Sequence, residues 1–242
     1  MRRYPIAVQS AALLVAVLLI PASLGLACRT PERHEPAPVP SSRPVTVSAM
    51  MHAHFAATRD IHRALIVDDL VTAKARAREV AQMPDRTGSS EWDRSARLLR
   101  AQAGRLASAP DANQARSLAT QMATFCADCH MFRADPGVFR PVPIPSDDGS
   151  VRAAMARHAW GAETMWLGVI APSTDLWREG MRELASAPRV EVEGNRARDV
   201  AILNARLGAL ATSWNLLGGQ GDRARRLAEV LDVCAACHAI SR

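Results

Sequence analysis

The chain reads as two copies of one unit, and this constrains its fold more than any other feature. Shifted by 104 positions, Met51 falls on Met155, His54 on His158 and Ile66 on Ile170. Arg78-Glu79 falls on Arg182-Glu183 and Ala81 on Ala185, all without a gap. Further along, Cys126 falls on Cys234 at an offset of 108, so four residues are inserted between the two matching blocks. Self-similarity over such a span points to a structural unit built twice. The copies are expected at 46–132 and 148–242, joined by a linker at 133–147. Pro136, Pro141, Pro143 and Pro145 stop any helix from crossing that linker.

Each copy reads as four helices. Ala, Leu and Arg are abundant and aromatics make up only 4% of the 242 residues. Strand-like alternation of β-branched and aromatic residues is absent. In the first copy helices are expected near 46–67, 69–83, 90–108 and 111–131. In the second they are expected near 149–170, 174–187, 194–216 and 220–240. Apolar residues recur at helical spacing through Leu98 and Leu106, with Gln102 as a lapse, and through Leu118, Met122 and Phe125. Pro84 and Gly88 break the second helix from the third, and Asp111 is a candidate N-cap for the fourth. Short connections between helices of similar length favour an up-down-up-down bundle. The expected class is all-α, as two tandem four-helix bundles.

Residues 1–27 have the make-up of an export signal. Arg2 and Arg3 precede the apolar run 11–20, and small residues lead to Gly25-Leu26-Ala27-Cys28. Two cleavage readings stand. One is an ordinary cut after a small-x-small pattern. The other is a lipobox-like site with Cys28 as the lipidated first residue, although Gly25 stands where Leu is usual. Lipidation would account for the fifth cysteine. It would also suit residues 28–45, a Pro-rich tether with Pro31, Pro36, Pro38, Pro40 and Pro44. The expected location is therefore the bacterial periplasm or envelope, with a lipid anchor to the membrane on the second reading.

The formal charge of +6 rests on Arg, since Lys74 is the only lysine. Basic residues are interleaved with acidic ones, as in Arg76, Arg78 and Glu79, which describes a solvated helix face. No basic cluster is interleaved with aromatics, so no nucleic-acid partner is expected.

Each copy ends on the same motif. Cys126-Ala127-Asp128-Cys129-His130 is repeated as Cys234-Ala235-Ala236-Cys237-His238. On a helix these cysteines and the histidine lie at i, i+3 and i+4, on one face. Two thiols at this spacing can add to the two vinyl groups of a haem, and the following His reaches the iron. The motif thus implies two haem c groups per chain. Cys126, Cys129, Cys234 and Cys237 would be the covalent attachments, with His130 and His238 as proximal ligands. A thioredoxin-like pair fits poorly, because both copies carry the His and neither lies in a βαβ pattern. A zinc site fits poorly too, because the motifs belong to different copies.

A haem-attachment motif at the end of a fourth helix resembles the cytochrome c-prime superfamily. The resemblance covers 46–132 and 148–242 and is specific at CxxCH. It is weaker at Met51-His52-Ala53-His54-Phe55 and at Met155-Ala156-Arg157-His158. In an up-down-up-down bundle the start of the first helix lies beside the end of the fourth. Met51, His54, Met155 and His158 are then placed to face iron. The resemblance nominates Met51 and Met155, because low-spin relatives use a first-helix Met. Ligand strength nominates His54 and His158, and an open sixth position is the third reading. His52 is matched by Ala156, and His62 by Trp166, so neither position suggests a shared role. His34 lies in the tether. Trp160, Trp166 and Trp177 read as core, and Trp214 is a candidate contact for the second haem.

These features favour an envelope electron carrier with redox partner proteins, rather than a catalyst. High-spin relatives bind CO or NO at an open haem, and a dihaem peroxidase would need acid-base residues beside such a site. Superfamily members often pair through exposed helix faces, so a homodimer is also an expectation.

Overall fold

The computed structural model describes residues 46–84, 90–132, 142–213 and 218–241. The export-like segment, Cys28, the tether with His34, linker residues 133–141 and Trp214 lie outside them. All regular structure among the described residues is helical. The first copy forms α1 (Val47–Ile66), α2 (Leu70–Gln82), α3 (Ser90–Ala107) and α4 (Ala112–Phe132). The second forms α5 (Val151–Ile170), α6 (Thr174–Ser186), α7 (Ala197–Thr212) and α8 (Gln220–Ser241). No described helix is long and apolar enough to cross a membrane.

The helices reproduce the repeat. Their lengths are 20, 13, 18 and 21 residues in the first copy and 20, 13, 16 and 22 in the second. Their starts are set by the same chemistry. The Thr46 hydroxyl accepts from the Ala49 amide at 3.2 Å, and the Ser150 hydroxyl accepts from Ala153 at 3.1 Å. Asp69 caps α2 through the Thr72 amide at 2.9 Å, and Ser173 caps α6 through Leu176 at 3.2 Å. Each cap satisfies an amide that the helix itself leaves without an acceptor. Asp111 accepts from the Gln114 amide at 2.8 Å, as expected of an N-cap.

The copies diverge where the insertion falls. The expected helical start at 194 is a 3-10 turn, Gly194–Arg196, and α7 begins at Ala197. Gly194 has φ 82°, a left-handed conformation that delays the helix. The described part of α7 ends at Thr212, short of the expected 216.

Within each copy successive helices pack together, and the first helix also meets the fourth. Gln102, the lapse in the apolar pattern, is buried and donates to Gln121 Oε1 at 3.2 Å, joining α3 to α4. Lys74 donates to the Ala109 carbonyl at 2.9 Å, tying α2 to the turn before α4.

The copies do not stand apart. Residues Arg43–Arg242 form one compact unit. α4 packs on α8 and α5, while α1 packs on α8 and α5. Ile66 and Ala123 from the first copy join a buried cluster with Trp166, Trp177, Leu227 and Leu231 from the second. The apolar surface of α1 and α4 is therefore wider than one bundle uses, and the excess is buried against the other copy.

The two copies differ in how closely their first two helices approach. A Cβ on Gly180 would stand 2.6 Å from both the Gly161 carbonyl and the Met165 amide. A Cβ on Gly168 would stand 2.6 Å from the Trp177 amide. The α5–α6 contact is thus backbone against backbone. Gly180→Ala should destabilise the chain by about 1–3 kcal/mol, the usual cost of overpacking. Gly104→Ala, where a Cβ meets nothing within 4 Å, should stabilise it by about 0.5–1 kcal/mol. Urea denaturation midpoints of the two variants should move in opposite directions.

Candidate functional site

The second CxxCH motif lies on the last two turns of α8. Cys234, Cys237 and His238 together line a small cleft. Met155 and His158, from the first turns of α5, line the same cleft. So the structure brings the expected thiols and proximal imidazole together with both distal candidates of that copy. The remaining wall is mostly apolar: Ile66 from α1, Leu203 and Leu207 from α7, and Val233. A small cluster of Ala154, Val190 and Val200, with Met155 and Ile240 packed on it, holds the start of α5 beside the end of α8.

His158 is only 9% exposed. Burial lowers its pKa, and the Arg157 guanidinium adds to this. The Glu183 carboxylate and the Pro188 carbonyl oppose them without reversing the shift. Its ring is therefore neutral at neutral pH, which leaves one nitrogen with a lone pair. Arg157 is itself held by Glu183 at 2.5 Å, which anchors this part of α5 on α6.

In the first copy, His54 occupies the position equivalent to His158. It is 4% exposed, and its Nε2 has no hydrogen-bond partner. Burial, and then the charge of Arg100, lowers its pKa. A buried nitrogen without a partner costs roughly 1–3 kcal/mol, unless something absent from the protein atoms meets it. Met51 is half-buried, whereas its neighbour Met50 is buried and His52 is exposed. Cys126 packs against both large core clusters, while Cys129 and His130 are half-exposed near the end of α4.

Three of the four thiols have their pKa raised by burial. Burial, followed by the neighbouring Cys129, pushes Cys126 up to about 12. Burial and Cys237 push Cys234 up to about 12 as well. Burial also raises Cys237. A dithiol of the thioredoxin kind works through a lowered thiol pKa, so this environment opposes that reading. None of the four is joined in a disulfide. Among the described residues, no three His, Cys, Asp or Glu side chains close on one point as a metal-ion cage.

The donor set is one that a CxxCH-attached haem would use. The site offers two thiols and an imidazole on one helix face, a cleft with apolar walls, and a neutral imidazole and a thioether from another helix. The first copy supplies the matching buried imidazole, with an unpartnered nitrogen.

Two contributors to the site have no signal in the motif pattern. Ile66 belongs to the first copy yet lines the second copy's cleft. Arg116, on α4, is buried and bonds Asp232 Oδ1 at 2.5 Å, Asp68 Oδ1 at 3.2 Å and Asn113 Oδ1 at 2.5 Å. Asp232 sits just before Cys234, so α4 of one copy braces the motif of the other. The first-copy position is matched by Ala224, and that loss of repetition is the only trace the sequence carries.

Comparison with protein-family models, with curated proteins and with solved structures finds no match for this chain.

Arg116→Met should cost about 2 kcal/mol, less than a fully buried pair because Asp68 and Asp232 are partly exposed. Adding Asp232→Leu should recover part of that loss. A double-mutant cycle by urea denaturation measures the coupling.

Proposed function

We propose that this chain is an exported electron carrier built as two tandem four-helix bundles, each attaching one c-type haem. The observation that carries the reading is the shared cleft of Cys234, Cys237, His238, Met155 and His158. Covalent attachment would use Cys126 and Cys129 in the first copy, and Cys234 and Cys237 in the second. His130 and His238 would be the proximal ligands. A haem so held supplies an iron that cycles between ferric and ferrous, at a potential set by its axial ligands and burial.

The distal assignment goes to His54 and His158 rather than Met51 and Met155. Both imidazoles are buried, and both have pKa values lowered by burial. A buried imidazole kept neutral retains the lone pair a metal needs. In the first copy the unpartnered His54 Nε2 adds to this. Met51 and Met155 then pack beside the ligand. Two closed irons favour electron exchange with envelope redox proteins over binding of CO or NO. Cys28 would hold the lipid anchor of such a carrier at the membrane.

The purified, reduced chain should show sharp low-spin bands that CO does not move. His54→Leu and His158→Leu should each open one site, giving CO-sensitive absorption for about half the haem. Met51→Leu and Met155→Leu should leave CO insensitivity in place. A wild-type spectrum that shifts strongly with CO would instead establish an open site. A Cys126→Ala, Cys234→Ala variant that still held two haems through two thioethers each would overturn the attachment itself.

A further inference from the structure

We infer that the two copies are paired about a pseudo-two-fold axis through α1 and α5, as a fused dimer whose halves fit each other and not themselves. This rests on contacts between the copies and is independent of what the CxxCH motifs bind.

The two helices cross antiparallel. Phe55 lies against Trp166 with ring centroids 5.4 Å apart, and His62 stacks on Trp166 at 5.2 Å and 15°. Near the end of α1, Ile66 shares the cleft of Met155 and His158, near the start of α5. Between these, Arg59 bonds Glu163, 104 residues away, and that spacing is the repeat offset itself. His62 and Trp166 are separated by the same offset. When two identical surfaces meet across a two-fold axis, a residue at the axis meets its own counterpart. Here two neighbouring positions on one face of α1 do so.

The rest of the interface is reciprocal in the same way. α4 packs on α5 and α8 packs on α1, while α4 and α8 pack on each other. Arg116 meets Asp232, and Asn113 shares a cleft with Ala235, Ala236 and Ala239, so α4 and α8 also run antiparallel. Cys126 and Cys234, equivalent in the repeat, both pack against one shared core cluster.

The axial pairs are no longer identical, and their differences are complementary. Arg59 and Arg63 both reach the Glu163 carboxylate, Arg63 at 3.1 Å. Two first copies pairing in this way would bring four guanidiniums together with no carboxylate at Glu163's place. Two second copies would set Glu163 against Glu163. Like charges brought together in this way cost affinity and select against self-pairing. His62 and Trp166 are both buried, and the pair stacks an imidazole on an indole. Neither copy can build that pair with itself.

The test cuts the full chain after folding, at one protease site introduced within 133–141. The cut halves should migrate as a single species with the mass of the intact chain. Unfolded in urea and then refolded together, they should return as one-to-one unlike pairs by native mass spectrometry. Arg59→Glu should weaken the pairing at least about tenfold, and Arg59→Glu with Glu163→Arg should restore most of it. Halves that part on cutting would overturn the inference. So would halves that re-pair equally with themselves, or a charge swap that recovers nothing. The readout is which halves pair, and any covalently attached group only adds a fixed mass to the half that carries it.

Discussion

Four helices, α1, α4, α5 and α8, bury apolar surface on one another across the two copies, and the remaining order of the molecule follows from that shared core. Burial of this kind is not directional, so it cannot by itself set the angle at which helices meet. Polar contacts at its margins do so. Glu163 takes two guanidiniums where α1 crosses α5, and Arg116 takes two carboxylates where α4 meets α8. With these in place the starts of α5 and the end of α8 are brought to one cleft, with Ile66 of the first copy closing its side.

Most of the local structure could be read from residues alone, for identifiable reasons. The start of α4 was written in Asp111, since a cap acts within one turn of helix. The caps Thr46, Asp69, Ser150 and Ser173 came to light only with the fold. The placement of Met155 and His158 beside Cys234, Cys237 and His238 was also legible, because it needs only the repeat and an up-down arrangement. Other features were not. Arg116 and Asp232 are 116 residues apart, and nothing local to either names the other. His62 and Trp166 look unrelated because they differ, yet they touch because they are equivalent. The Pro-rich linker marked two tandem copies but carried no sign of how they pack together. The width of the apolar face on α1 and α4, which draws the copies together, is a property of packing rather than of spacing.

The environment of the CxxCH residues has a common cause. Cys126, Cys234, His54 and His158 are all moved toward their neutral forms by burial. Low polarity disfavours charge on a thiol and on an imidazole alike, although it raises one pKa and lowers the other. Such a place suppresses free thiolate chemistry while keeping imidazole lone pairs available. A covalently anchored macrocycle with nitrogen ligands would be at home there, whereas a reactive dithiol would not.

The close approach of α5 and α6 bears on how interchangeable the copies are. Gly161, Gly168 and Gly180 let those two backbones touch, and the first copy has Ala57, Ala64 and Arg76 at the same positions. Arg76 is partly exposed and pairs with Glu79 on its own helix. Its side chain could not exist at Gly180, where even a methyl group meets the opposite backbone. The two copies therefore share helix caps and similar helix lengths, while the contact between their first two helices differs. They are two parts cut to different tolerances, and segments of one do not serve as spares for the other.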